Sequence, residues 1–283
     1  MILSVASGKG GTGKTTIAVA LSTAIEKDVH YLDCDVEEPN SHLFLKPKWD
    51  KKLEIPVSIP VPLIDESRCT FCGKCSEICE FNAIMVVKGT AVIPFHELCH
   101  GCGGCSLVCP EKAISEKDKI IGIIRQAKIE NIHLSQGLLN IGEPMGTPIV
   151  KRLKKTINPN HYLTILDAPP GTGCSVVESI RDSDFSLLVT EPTPFGLYDL
   201  KLAVDVVRKL SVPFGVLINR ADVGDAGVRE YCKKENINIL MEIPLDEKIA
   251  YATSQGIPLS KVEGYKDKMV KLYEKIATII GGK

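Results

Sequence analysis

Eight of the eleven cysteines in this chain stand in two copies of one pattern, C-x2-C-x2-C-x3-C, thirty residues apart. Cys69, Cys72, Cys75 and Cys79 recur as Cys99, Cys102, Cys105 and Cys109. Gly73 recurs as Gly103, and Ala83-Ile84 as Ala113-Ile114. Two copies make a pseudo-symmetric pair rather than a solenoid. Zinc ligand pairs usually lie farther apart than three cysteines at successive three-residue steps, so the spacing favours iron-sulfur cubanes. Disulfides fit poorly, because the amino terminus has no signal-peptide plan and the runs are tight.

A second motif fixes the chemistry of the amino-terminal end. Residues 7–16 read S-G-K-G-G-T-G-K-T-T, in which Gly8 to Thr15 satisfy G-x-x-x-x-G-K-S/T. The motif lies between a predicted strand, Ile2 to Val5, and a predicted helix with Ile17, Ala20, Leu21, Ala24 and Ile25 at helical spacing. Gly8, Gly10, Gly11, Thr12, Gly13 and Thr16 would let backbone N–H groups wrap a phosphate at a helix amino terminus. Lys14 would neutralise terminal phosphate charge, and the Thr15 hydroxyl would ligate magnesium.

The remaining pattern is α/β. Strands are expected at Val29–Leu32, Tyr162–Leu166, Phe185–Thr190, Phe214–Asn219 and Ile237–Ile243, separated by helical stretches, which predicts a mostly parallel sheet flanked by helices. The texture changes at the proline-rich run 55–64, and the cysteine block follows at once. The expected organisation is a discontinuous domain of residues 1–61 and 120–283 with an insertion at 62–119. A β-hairpin is expected over 119–139 around Glu130-Asn131, then a helix from about residue 148 to 156. Lys117 to Lys119 reads as a solvated turn.

Net charge is −1, so no nucleic-acid partner is expected, because a polyphosphate backbone needs clustered Lys and Arg. No apolar run is long enough for a membrane span, and a cytoplasmic protein in a reducing compartment is expected. The tail from Tyr265 to Ile280 has one apolar face, which predicts a terminal helix packed on the sheet rather than a membrane anchor.

Lys9, a second lysine inside the phosphate loop, resembles the deviant loop of the MinD, ParA, Mrp and nitrogenase iron-protein group of P-loop NTPases. That resemblance implies a nucleotide-dependent homodimer in which Lys9 reaches the phosphates of the opposite subunit. Y-L-D-C-D-V resembles the family's switch I, implying that Asp35 orients the attacking water and that Asp33 lies near the magnesium shell. L-D-A-P-P-G-T-G resembles switch II, where Asp167 would hold a magnesium-bound water and the Gly171 backbone would sense the terminal phosphate. L-I-N-R places Asn219 where the family reads adenine, and I-P-L-D-E-K-I-A resembles its late adenine-side loop.

The second cysteine run ends in Cys109-Pro110 and resembles bacterial two-cluster ferredoxins. The implied insertion is an α+β ferredoxin-like domain with two 4Fe-4S clusters. In that family the fourth cysteine crosses over, so one cluster would take Cys69, Cys72, Cys75 and Cys109, the other Cys99, Cys102, Cys105 and Cys79. Glu80 stands where the first run would have proline. His96 and His100 are read as loop residues, since cubanes with four cysteines need no imidazole. Cys232 is read as a buried helix residue, and bridging of a further cluster by Cys174 stays an open hypothesis. Mrp-type scaffolds carry a carboxy-terminal C-x-x-C pair, and this chain has none.

Taken together, these features predict an ATPase using ATP/ADP and Mg2+, whose nucleotide state acts on two clusters. Its expected role is assembly or reductive maturation of a metal cofactor on an unidentified metalloprotein or cofactor-carrier partner. The alternatives are an ATP-gated electron donor and a spatial organiser like MinD or ParA.

Overall fold

Parallel strands covered by helices on both faces are buried on both faces, and the central strands of this chain are buried along nearly all their length. The computed structural model describes residues 1–282, apart from the Lys52 side chain. In chain order its principal elements are β1 (Ile2–Ala6), α1 (Lys14–Ala24), β2 (Val29–Asp33), α2 (Ser41–Leu45), β3 (Ile55–Ile64), α3 (Lys74–Glu77), β4 (Ile84–Val87), β5 (Ala91–Pro94), α4 (Gly104–Val108), β6 (Ile114–Ile129), β7 (Ile132–Leu139) and α5 (Thr147–Lys154). They continue with β8 (Leu163–Asp167), α6 (Cys174–Ile180), β9 (Phe185–Thr190), α7 (Pro194–Lys209), β10 (Phe214–Asn219), α8 (Gly227–Lys234), β11 (Ile239–Ile243), α9 (Glu247–Ser254) and α10 (Tyr265–Gly281).

Nine strands form one sheet in the order β11-β10-β9-β1-β8-β2-β7-β6-β3, and β4-β5 form a small antiparallel pair. The seven strands from β11 to β7 pair in parallel. The α/β, mostly parallel architecture expected from the sequence is therefore observed.

The chain divides into two compact units. The first comprises Met1–Glu54, Ile124–Leu138 and Val150–Lys283. One of its cores packs Leu3, Val5, Tyr31, Ile165 and Leu187 with residues of α1 and α10, among them Ile17, Leu21, Met269, Leu272 and Ile276. The apolar face of the carboxy-terminal helix is thus buried in protein. A second core joins Ala168, Leu188, Val216 and Ile218 to residues of α6, α7 and α8, including the buried Cys232. Among the described residues no helix is long and apolar enough to cross a membrane.

The second unit comprises Ile55–Ile123 and Leu139–Ile149. Its apolar centre is small, built on Cys75, Ile84 and Val92. The proline-rich run 55–64 is a ten-residue strand at the end of the sheet order, with Pro56 and Pro60 exposed. Proline is tolerated there because an edge strand need not donate every N–H to a ladder. Strand β6 begins at Ile114, five residues before the expected start. Residues 115–118 are exposed, so no apolar alternation marks them. Lys119 is not a solvated turn residue: its Nζ pairs with Glu143 at 2.9 Å and donates to the His96 carbonyl at 3.0 Å.

Candidate nucleotide and cluster sites

Ligands of open parallel sheets bind beyond the carboxyl ends of the strands, and the chain places its polar residues there. β1 ends at Ala6, and the loop 7–13 turns into α1 through Gly13, whose φ of 94° only glycine adopts without strain. Gly11 is also left-handed, at 77°. A Cβ on Gly8 would stand 2.1 Å from the Asp199 carbonyl oxygen, so the loop passes directly against α7. Lys14 is buried, which pushes its ammonium down against the charges of Asp167 and Asp35. Gly171 donates its N–H to the Ser7 carbonyl at 3.1 Å. Asn219 donates its side-chain amide to the Thr12 carbonyl at 2.9 Å.

Asp33 and Asp167 end neighbouring strands in direct register. Both are buried. Asp33 Oδ2 accepts from the Ser41 N–H, the Ser41 hydroxyl and Gln136 Nε2, and Asp167 Oδ2 accepts from the Tyr31 hydroxyl at 2.8 Å. The other oxygen of each carboxylate, Oδ1, is buried with no hydrogen-bond partner, as is the Thr12 hydroxyl. Burial raises the Asp33 carboxyl, and burial with the Asp33 charge raises that of Asp167 to about 7. Two adjacent buried carboxylates, each with an idle oxygen, suit a hard divalent cation, so the residues fit magnesium. Asp35 is pushed up to about 6 by burial and by the Asp33 charge.

A cleft of about 1640 Å3 including its mouth has walls that carry Gly10, Gly11, Gly13 to Thr16, Asp35 and Asn219, while Asp33 and Asp167 are buried and not part of its lining. Ile243 to Asp246 of the expected adenine-side segment line the same cleft. Lys9 points elsewhere: its Nζ lies 3.2 Å from Glu191, which also binds Arg220 at 2.6 Å. Sequence reasoning missed Glu191, Tyr31, Ser41 and Gln136. Only position hints at the first, since Glu191 immediately follows a buried parallel strand at its carboxyl end.

In the second unit the cysteines gather in two sets. One cavity of about 370 Å3 including its mouth is lined by Cys69, Cys72, Cys75 and Cys109, the other, of about 440 Å3 on the same measure, by Cys79, Cys99, Cys102 and Cys105. Backbone N–H groups donate to sulfur in matched pairs: Phe71 to Cys69 and Gly101 to Cys99, both at 3.4 Å, and Ala83 to Cys79 at 3.2 Å with Ala113 to Cys109 at 3.3 Å. Left-handed residues recur thirty apart at Phe71 and Gly101, Gly73 and Gly103, and Asn82 and Lys112. Four sulfurs per cavity with amide donors suit a charged cubane. His96 binds the Pro62 carbonyl and His100 stacks on Phe81. Cys174 is exposed at the start of α6, and Cys34 is buried.

The CobQ/CobB/MinD/ParA nucleotide binding domain family, CbiA, matches residues 3–259. This chain belongs to that family. Its relatives include an uncharacterized protein of Methanocaldococcus jannaschii, 35% identical over 259 residues that cover 90% of each chain. An iron-sulfur cluster carrier protein of Pyrococcus furiosus is 26% identical over 285 residues, covering 91% of this chain and 78% of the relative. Among solved structures, the septum site-determining protein MinD of Pyrococcus horikoshii, complexed with Mg-ADP, superposes with a TM-score of 0.61 at 20% identity, covering 99% of this chain and 97% of that one. The family match runs from residue 3 to residue 259, and the likeness to the MinD structure is one of fold.

Proposed function

We propose that this CbiA family member binds and hydrolyses ATP with magnesium and couples its nucleotide state to two 4Fe-4S clusters, serving the building or maturation of a metal cofactor on a partner protein. The carrying observation is that one polypeptide holds both a lysine-bearing phosphate cradle and two cavities each walled by four cysteines. Relatives named as iron-sulfur cluster carriers support the reading.

The amides of residues 10–16 and the Lys14 ammonium hold the phosphates, with Thr15, Asp33 and Asp167 as the residues that would hold magnesium. The ion supplies charge neutralisation on the phosphate oxygens. Asp35, with a carboxyl raised to about 6, is mostly ionised at neutral pH and orients the attacking water. The Gly171 N–H, now on the Ser7 carbonyl, finds a stronger acceptor in a terminal phosphate, so the loop after β8 shifts with nucleotide state. Lys9 is paired within its own chain, and this pairing keeps hydrolysis slow until a dimer and a partner draw it toward the second subunit. Cys69, Cys72, Cys75 and Cys109 would hold one cluster and Cys79, Cys99, Cys102 and Cys105 the other, and such clusters would supply one-electron chemistry there.

The test is anaerobic incubation of the reconstituted protein with an apo-acceptor and magnesium-ATP. Cofactor assembly on the acceptor that requires ATP supports the reading. ATP-dependent electron delivery with no assembly would shift it to an electron donor, and indifference to ATP would end it.

A further inference from the structure

The opposite edge of the parallel sheet carries a second group of metal-ligating side chains, unrelated to the cysteines. Asp28 immediately precedes β2, His133 is the second residue of β7, and His161 lies in the segment entering β8. The sheet order sets β8, β2 and β7 side by side, so all three residues meet at the amino-terminal edge, while the phosphate loop and Asp33 lie at the carboxyl ends. Asp28 Oδ1 stands 3.2 Å from His133 Nε2, and Asp28 Oδ2 bonds His161 Nδ1. One donor atom from each residue lies within 4.8 Å of the other two.

We propose that Asp28, His133 and His161 bind a single divalent first-row transition ion of the zinc class. Two imidazoles and a carboxylate are a borderline donor set, which disfavours calcium and magnesium as the bound ion and suits Zn2+ or Co2+. Zinc–donor bonds of about 2.0–2.2 Å need donors about 3.3 Å apart, within a small side-chain adjustment of the present spacing. The fourth position faces solvent, since the Asp28 side chain is 50% exposed and that of His133 36%.

Two further observations separate this group from an ordinary surface ion pair. His30, paired in register with His133, is 4% exposed, and its ring centre lies 5.0 Å from that of His161. The His133 and His161 rings are 4.7 Å apart. Three imidazoles and one carboxylate thus gather at one place on this edge, more ligating groups than a single ion pair uses. His30 also keeps a buried Nδ1 with no hydrogen-bond partner, while its Nε2 bonds the Ser135 hydroxyl at 2.9 Å. That nitrogen belongs to a ring packed beside His161 and is buried without a partner, which is uncommon for a polar atom. Bound metal would tie three neighbouring strands together at the end remote from the nucleotide.

The experiment uses the full chain with its clusters reconstituted anaerobically, so that cysteine sulfur is occupied. Zn2+ is titrated against a chromophoric chelator, in the wild type and in the variants Asp28→Asn, His133→Ala and His161→Ala. The wild type should bind about one Zn2+ per chain more tightly than each variant by at least about tenfold. Co2+ should give the visible bands of nitrogen and oxygen ligation with no thiolate charge-transfer band. Equal stoichiometry and affinity in Asp28→Asn and wild type would overturn the proposal, as would a Co2+ spectrum of thiolate character alone. Asp28→Asn and His133→Ala alter partly exposed side chains, so the test stands even where the more buried His161→Ala fails to fold.

Discussion

Asp167 shows how a single side chain reports on the site. A carboxyl raised by burial to about 7 stabilises the fold while protonated, below the unfolded value of about 4, and that contribution is lost as pH rises through the folded value. Without magnesium, wild-type protein should therefore lose stability between about pH 5 and pH 8 relative to Asp167→Asn, which carries no such proton. Urea unfolding at both pH values checks this, and parallel slopes would contradict it. Glu191 makes a second expectation. Glu191→Gln frees Lys9 from its 3.2 Å ion pair, and we expect a larger dimer fraction with a non-hydrolysable ATP analogue. Sedimentation velocity measures it, and no change would mean that the pair does not hold Lys9 back. Lys14, Asp33 and Asp167 were legible because motif and strand-end position point to them together. Glu191 was not, because nothing in T-E-P-T distinguishes a buried acid from a turn residue. Asp28, His133 and His161 were equally silent, lying far apart in the chain with no ligand spacing among them.

Among the elements, those buried on both faces were easiest to read. β8 and β9 are short, largely apolar runs, and their bounds fall within a residue of expectation. β3 was hidden by its prolines, and the start of β6 by polar residues that face no core. α10 was legible as an amphipathic helix, and only the structure shows that its face meets α1. Leu272, fully buried there, should cost about 2–5 kcal/mol when cut to alanine. Gly8→Ala tests the approach of the phosphate loop to α7: a methyl 2.1 Å from a backbone oxygen cannot be relieved by a rotamer change. Overpacking of about 1–3 kcal/mol or more is expected. Thermal unfolding checks both, and an unchanged melting temperature for either would show that the contact yields.

On the scale of the whole molecule, the cysteine cavities give the sharpest expectation. Cys69→Ser and Cys109→Ser line one cavity, so each should remove about half of the iron, and the double variant should lose no more than either alone. Cys69→Ser with Cys79→Ser should remove nearly all, because the two serve different cavities. Iron analysis after anaerobic reconstitution decides, and a double Cys69/Cys109 variant emptier than either single one would break the assignment. Phe71 and Gly101 occupy the same left-handed position in the two copies, one with a bulky side chain and one without. The strain is therefore borne by only one copy, and Phe71→Gly should relax it, whereas a bulky side chain at Gly101 would meet Ile59 and Pro60 at 3.1 Å. The duplicated turns share a path but not their tolerance at this one position: the first copy houses a phenyl ring where the second has no room for a methyl.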